Sequence, residues 1–239
     1  LISADKSRSF IKVYRMYNRW LLRRSFEQIY LDDSGRMEEG RPTLFIANHS
    51  NWWDPLLVLQ LNGDILKKDM YAMMAPKGQK KEFRFFRKLG GFSMNPDSTA
   101  EVQRSLRYSV QLLSEAANRA LWLFPQGEMQ HQEIRPIQLM SGLGSIVERM
   151  YDLQVVPVLF YYTYDGNRKP SVYIRITNAL VLDEECRKRK IATRIAQEAL
   201  QTRLDHLRKE VISCQTKNFK PWMKTYWGAF KLFEKMILR

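Results

Sequence analysis

Of the three histidines in the chain, His49 is placed as a catalytic base needs to be. It follows the apolar run Thr43-Leu44-Phe45-Ile46-Ala47 after a single residue, Asn48, and Asp54 stands five positions on. A carboxylate that accepts the proton on one imidazole nitrogen leaves the other nitrogen free to act as a base, and it stabilises the imidazolium that forms. A second constellation, Phe124-Pro125-Gln126-Gly127-Glu128, also ends an apolar run, Ala120 to Phe124. Its glycine allows the backbone to turn sharply and present N–H groups to a ligand. Glu128 is either a residue that orients substrate or a solvated carboxylate after the turn. His131 lies in a polar segment and His206 late in a charged helical stretch; neither has ligand spacing to the other or to Cys186 or Cys214, so no metal site is expected.

These residues need strands to carry them. Gly40-Arg41-Pro42 reads as a turn into a buried strand over 43–47, and a helix is expected to follow through Leu56 to Leu61. Tyr71 to Ala75 is another short apolar run, broken by Pro76-Lys77-Gly78. The basic, aromatic stretch from Lys80 to Lys88 follows and closes at Gly90-Gly91. The basic cluster from Lys77 to Lys88 is either solvated surface or, with its interleaved Phe83, Phe85 and Phe86, a contact for lipid headgroups or for the phosphates of a donor. Ser98 with Glu101 forms a capping-box pattern for a helix running to about Asn118. Ala120–Phe124, Val155–Tyr162 and Ser171–Ile176 read as strands, and Ile191 to Leu207 as a helix. Strands alternating with helices predict an α/β fold, a mixed β-sheet flanked by helices, with the His49 and Gly127 loops gathered at one sheet edge.

Amphipathic helices are expected at both ends. From Arg8 to Arg24, Phe10, Val13, Tyr14, Tyr17 and Leu21 form an apolar face beside Arg8, Lys12, Arg15, Arg19 and Arg23. From Phe219, Met223, Tyr226, Trp227, Phe230, Phe233 and Ile237 mark one face, and Lys220, Lys224, Lys231 and Lys235 another. The apolar face of the first helix either packs on the domain or meets a membrane. Trp52 and Trp53 either pack against that helix or line an acceptor site. The expected organisation is one domain over 1–239: an amphipathic N-terminal segment over 1–30, a catalytic α/β core over 41–182 and C-terminal helices over 183–239.

Taken together, Asn48-His49-Ser50-Asn51-Trp52-Trp53-Asp54, then Phe124-Pro125-Gln126-Gly127, then Val156-Pro157-Val158 resemble the glycerophosphate acyltransferase superfamily, the PlsC-like lysophospholipid acyltransferases. The resemblance covers residues 43 to 160 and three of the four family blocks in order. It implies His49 as general base, Asp54 as its orienting partner, and a substrate-binding surface that includes Asn51, Phe124, Pro125, Gln126, Gly127 and Glu128. It also implies an O-acyl transfer from an acyl-CoA or acyl carrier protein thioester to a lipid-like hydroxyl, with no tightly bound cofactor. The activated hydroxyl attacks the thioester directly, which suits a chain with no credible cysteine or serine nucleophile.

The chain departs from the family pattern in three places. In Gly91-Phe92-Ser93-Met94-Asn95-Pro96 a proline stands where the family has a phosphate-holding arginine, Gln126 replaces a glutamate, and Ser141-Gly142 replaces a lysine-glycine pair. These changes turn the expected acceptor from lysophosphatidic acid toward a sugar, a glycosylated lipid or another polar-headed hydroxyl.

A formal charge of +14 on 239 residues predicts an anionic partner. No stretch reaches the roughly 18 apolar residues a spanning helix requires, so the expected setting is peripheral, on the cytoplasmic face of an anionic membrane. No zinc-finger spacing, RRM-like aromatic block or helix-turn-helix pattern occurs, so no nucleic acid is expected as a partner. A catalytically silent lipid-surface protein is the other reading of the same fold. Two cysteines cannot form a disulfide framework, and a reducing compartment is expected. No secretion-signal pattern opens the chain, and the start at Leu1 is expected to be a trimmed or processed one.

Overall fold

Residues 44–47 are apolar at every position, the pattern of a strand covered on both faces. The computed structural model, which describes residues 1–75 and 80–225, places this strand at the centre of one sheet. In chain order the elements are α1 (Arg8–Ser25), β1 (Ile29–Asp32), β2 (Thr43–Ala47), α2 (Asp54–Leu61), a π-helical turn (Asn62–Leu66), β3 (Asp69–Met74), α3 (Lys80–Lys88), β4 (Gly91–Ser93), α4 (Thr99–Ser114), β5 (Arg119–Leu123), α5 (Gly142–Arg149), β6 (Gln154–Thr163), β7 (Ser171–Ile176), a 3₁₀ turn (Glu185–Arg187), α6 (Arg189–Ile212) and β8 (Lys220–Met223).

The eight strands form one mixed sheet in the order β4-β3-β5-β2-β6-β7-β1-β8. β2 runs parallel to both neighbours, pairing Ile46 with Leu123 of β5 and with Pro157 of β6. Among the described residues, only the β6–β7 and β1–β8 pairs are antiparallel. Successive side chains point to opposite faces, so Phe45 and Ala47 join Leu57, Leu61 and Trp122 beneath α1 and α2, while Leu44 and Ile46 join Leu113, Ile146 and Ala196 beneath α4, α5 and α6. Each of these larger side chains contributes about 1.5–3 kcal/mol by leaving water. The β4 edge is covered by the N-terminal segment, where Ser93 N–H donates to the Ile2 carbonyl at 2.9 Å, which blocks open-edge pairing.

The ends of the chain differ from the amphipathic reading. In α1 the face turned inward is Tyr14, Asn18 and Leu22, with Asn18 Nδ2 donating to the Leu56 carbonyl of α2 at 2.9 Å. Val13 and Tyr17, expected on the same apolar face as Tyr14, are 67% and 52% exposed, and with Met16 and Trp20 they form an outward stripe. The helix therefore carries two apolar stripes, which one broad apolar sector in the sequence merges.

At the other end the expected helix from Phe219 gives way to strand β8, antiparallel to β1, with Phe219 and Met223 buried. Pro221 breaks a helix interior but is tolerated on this outermost strand, where one row of N–H groups needs no partner. Of the C-terminal helices expected over 183–239, the described part, 183–225, holds α6 followed by a strand, and the helical expectation for Tyr226 to Ile237 lies outside the described residues. The capping helix α4 starts at its expected place, with Ser98 Oγ accepting from Glu101 N–H at 3.4 Å, and stops at Ser114, four residues short of Asn118.

Candidate active site

β2 delivers His49 to the C-terminal edge of the sheet, and Asn48 fixes the exit. The buried Asn48 side chain donates to the Phe160 carbonyl and accepts from the Phe160 N–H, both at 2.9 Å, so it extends the β2–β6 ladder by a side-chain copy of a backbone pair. The chain then turns into α2. Asp54, at its first residue, is fully buried, and an anion there is favoured by the helix dipole.

Both oxygens of Asp54 have donors. Oδ2 lies 2.9 Å from His49 Nδ1 and accepts from the N–H groups of Ser50 at 2.8 Å and Asn51 at 2.9 Å. Oδ1 accepts a short hydrogen bond from the Tyr162 hydroxyl. A carboxylate can only accept, so the Nδ1 of His49 carries the proton and Nε2 is the basic nitrogen. Burial first, and then the facing Asp54 carboxylate, hold the Tyr162 phenol well above its ordinary range, so it stays a donor. The His49 ring stacks on Phe124 with centroids 4.3 Å apart, and its backbone N–H donates to Gln126 Oε1 at 2.7 Å. The two loops expected to face one another therefore touch.

Of the other residues singled out, Phe124, Pro125, Gly127 and Glu128 line the same cavity as His49. Gly127 sits at φ +81°, a region that favours glycine, and its N–H closes the turn on the Phe124 carbonyl at 3.1 Å. Asn51 and Gln126 are placed otherwise. Asn51 Oδ1 accepts from Trp53 N–H at 3.3 Å, a local turn that starts α2, and Gln126 spans from His49 to Gln130 Oε1 at 3.0 Å. Both support the site from behind and neither lines the cavity. Trp53 packs edge-on against Phe26 at the end of α1, while Trp52 is 56% exposed.

Tyr162 is the residue that the sequence leaves unremarked. It ends an apolar strand like any other aromatic, and only the β2–β6 pairing brings it opposite Asp54, 108 positions away in sequence.

The cavity is an apolar channel of about 340 Å³ that runs inward from His49 past Leu56, Leu59, Met70, Met73 and Trp122. Methionines are flexible and polarizable, and so shape themselves around a long, variable apolar guest. No group of three or more metal-ligating side chains occurs among the described residues.

The half-buried His49 and the fully buried Asp54 thus form a pair at the parallel-strand edge, opening on an apolar channel. Residues 28–161, more than half of the chain, match the family model described as Acyltransferase, and the chain belongs to that family. Its fold is that of the 1-acyl-sn-glycerophosphate (LPA) acyltransferase PlsC from Thermotoga maritima. The crystal structure of that protein matches with a TM-score of 0.55 at 18% sequence identity, over 84% of this chain and 79% of that one. No curated protein sequence matches the chain significantly.

Proposed function

We propose that this acyltransferase moves a fatty acyl group from a CoA or carrier-protein thioester to a hydroxyl of a lysophospholipid, glycolipid or similar lipid-like acceptor. The observation that carries the reading is the His49–Asp54 pair at the mouth of a channel lined by apolar side chains. In this mechanism His49 Nε2 takes the proton of the acceptor hydroxyl as its oxygen attacks the thioester carbon. The imidazolium that forms is stabilised by Asp54, and the thiolate leaves with the proton returned by His49. Tyr162 holds Asp54 from the far side, so the carboxylate keeps its orientation while the imidazole changes charge. The acyl tail occupies the channel, and the Gly127 loop closes over the reacting carbonyl. Pro96 stands at the position where the family carries a phosphate-holding arginine, which favours an uncharged polar headgroup.

In this reading the reaction takes place at the cytoplasmic surface of an anionic membrane. The outward stripe of Val13, Met16, Tyr17 and Trp20 recurs at i, i+3, i+4 and i+7, the spacing of one helical face. Lys12 and Arg24 flank it, and the Arg24 guanidinium lies 5.6 Å from the Trp20 ring, a composition suited to the headgroup boundary. No described helix is long and apolar enough to cross a membrane. Met16→Glu is expected to weaken sedimentation with anionic vesicles several-fold without lowering the melting temperature; unchanged sedimentation removes this face from the reading.

The decisive experiment measures thiol release from palmitoyl-CoA, and in parallel from an acyl carrier protein thioester, with vesicles and a panel of lysophospholipid, glycolipid and sugar acceptors. Acceptor-dependent release that falls at least about a hundredfold in His49→Ala, the lower scale of general-base catalysis, supports the proposal. Absence of release with every pair leaves a lipid-surface protein that has kept the fold without the chemistry.

A further inference from the structure

On the opposite edge of the sheet, at the start of β3, lies a second cavity of about 460 Å³ lined by Lys6, Arg8, Arg15, Asn62, Lys67 and Lys68. Asp69 opens β3 and Met74 ends it; at about 3.3 Å of rise per residue the strand separates this cleft from the His49 edge by roughly 15 Å. The cleft and the apolar channel lie back to back, sharing Leu59, Met70 and Leu89 as a common wall.

Four observations mark this cleft as built for an anion. Its cations outnumber the carboxylates beside it: Asp69 serves Lys6 and Arg119, and Asp64 serves both Arg15 and Arg19. Arg8 and Lys67 have no carboxylate partner among the described residues. Burial holds Lys6 and Lys68 below the ordinary lysine range, against the pull of Asp69 on the first and of Glu39 on the second; a bound anion would offset that cost.

The cleft wall is also irregular. The π-helical turn Asn62–Leu66 ends in Lys67, a non-glycine residue in the left-handed region at φ +51°, and both features are costly conformations that concentrate at functional positions. Finally, Arg15 Nε and Asn62 Oδ1 are buried with no hydrogen-bond partner. The Arg15 guanidinium lies across the backbone of Gly63, where any Cβ would strike it.

We infer that this cleft is a second ligand site, one that binds a phosphate group through Arg8, Arg15, Lys67 and Lys68, apart from the acyl-transfer centre. A phosphate oxygen accepts from the Arg8 guanidinium and from the Lys67 and Lys68 ammonium groups. The phosphate comes either from an anionic lipid headgroup or from a soluble compound.

The test compares the full-length wild type with the double variant Arg8→Gln/Lys67→Gly, in which glycine also suits the left-handed backbone. A charge-matched control, Lys190→Gln/Lys209→Gln, removes two exposed lysines of α6. One arm titrates inorganic phosphate against chloride at equal ionic strength and reads the melting temperature. The other sediments the protein with phosphatidylcholine vesicles with or without phosphatidic acid. The expected result is a saturable response to phosphate or to phosphatidic acid that the control retains and the cleft variant needs about tenfold more ligand to reach, the scale of lost charge-assisted hydrogen bonds. A shift in the vesicle arm alone identifies the lipid headgroup, and one in the titration alone the soluble compound. Equal responses in the cleft variant and wild type in both arms, a response matched by chloride, or an equal loss in the control overturns the site. None of these readouts requires acyl transfer, so the outcome is independent of the activity assay.

Discussion

The two ends of the parallel strands handle charge in opposite ways. At the His49 edge a single buried carboxylate, Asp54, has every oxygen occupied by a donor from the protein itself: His49, Tyr162 and two backbone N–H groups. At the other edge Asp64 and Asp69 are shared among arginines and lysines, and Arg15 Nε and Asn62 Oδ1 remain without partners. A self-satisfied site is preorganised to change one proton at a time, which is what general-base catalysis requires. A site with unmet donors is complete only when something else is bound. The difference shows why a paired buried charge and an unpaired basic cleft in one sheet should respond differently to mutation.

If the His49 edge is the reaction centre, its members should rank by their distance from the transferred proton. His49→Ala carries the largest loss, as above. Asp54→Asn should follow, with turnover lowered on the order of tenfold to a hundredfold. An amide in this place presents an N–H where Ser50, Asn51 or Tyr162 now donate, and it no longer offsets the imidazolium. Wild-type turnover in this variant would mean that the pair is structural only.

Tyr162→Phe should lower kcat about tenfold with KM unchanged, the scale of one hydrogen bond to a charged group. A rise in KM at constant kcat would instead make Tyr162 part of the substrate wall.

The same tyrosine gives a stability prediction whose sign is fixed. Its folded pKa lies above the unfolded value near 10, so its contribution is fully present below about pH 10 and is lost as pH rises through the folded value. Tyr173, pushed up to about 12 chiefly by burial, acts in the same sense. Alkaline unfolding followed by circular dichroism should therefore be shallower in Tyr162→Phe than in the wild type, and equal slopes would count against a buried phenol facing Asp54.

The smallest effect belongs to the other edge. Lys67→Gly should leave the melting temperature unchanged or raised by a few degrees, because relief of the left-handed conformation outweighs the added chain freedom. A clear loss of stability would show that the Lys67 side chain holds the fold and is not reserved for a ligand.

Much of this was legible beforehand because it is local. The continuous apolar runs located β2, β5, β6 and β7, and the Ser98 cap located α4, since strand burial and capping depend on neighbours in sequence. His49, Asp54 and the Gly127 turn are legible because they sit within a few residues of strand ends. The short strand β1, the strand β8 and helix α5 were not, for each is held by partners far along the chain. Ile29 pairs with Val172 and Met223, and Gly144 of α5 packs directly on the Arg189 backbone of α6.

What the sequence alone determined is the acyltransferase pattern, the mixed α/β layering and the basic character of the molecule. Only the tertiary structure decided that Tyr162 completes the Asp54 cradle, that Gln126 braces His49 from behind, that one stripe of α1 turns to solvent, and that Lys6, Arg15 and Lys68 converge on one cleft. The physical reason is the same in each case: hydrogen bonds and charge balance depend on distances in space, and those distances are set by the order of strands in the sheet.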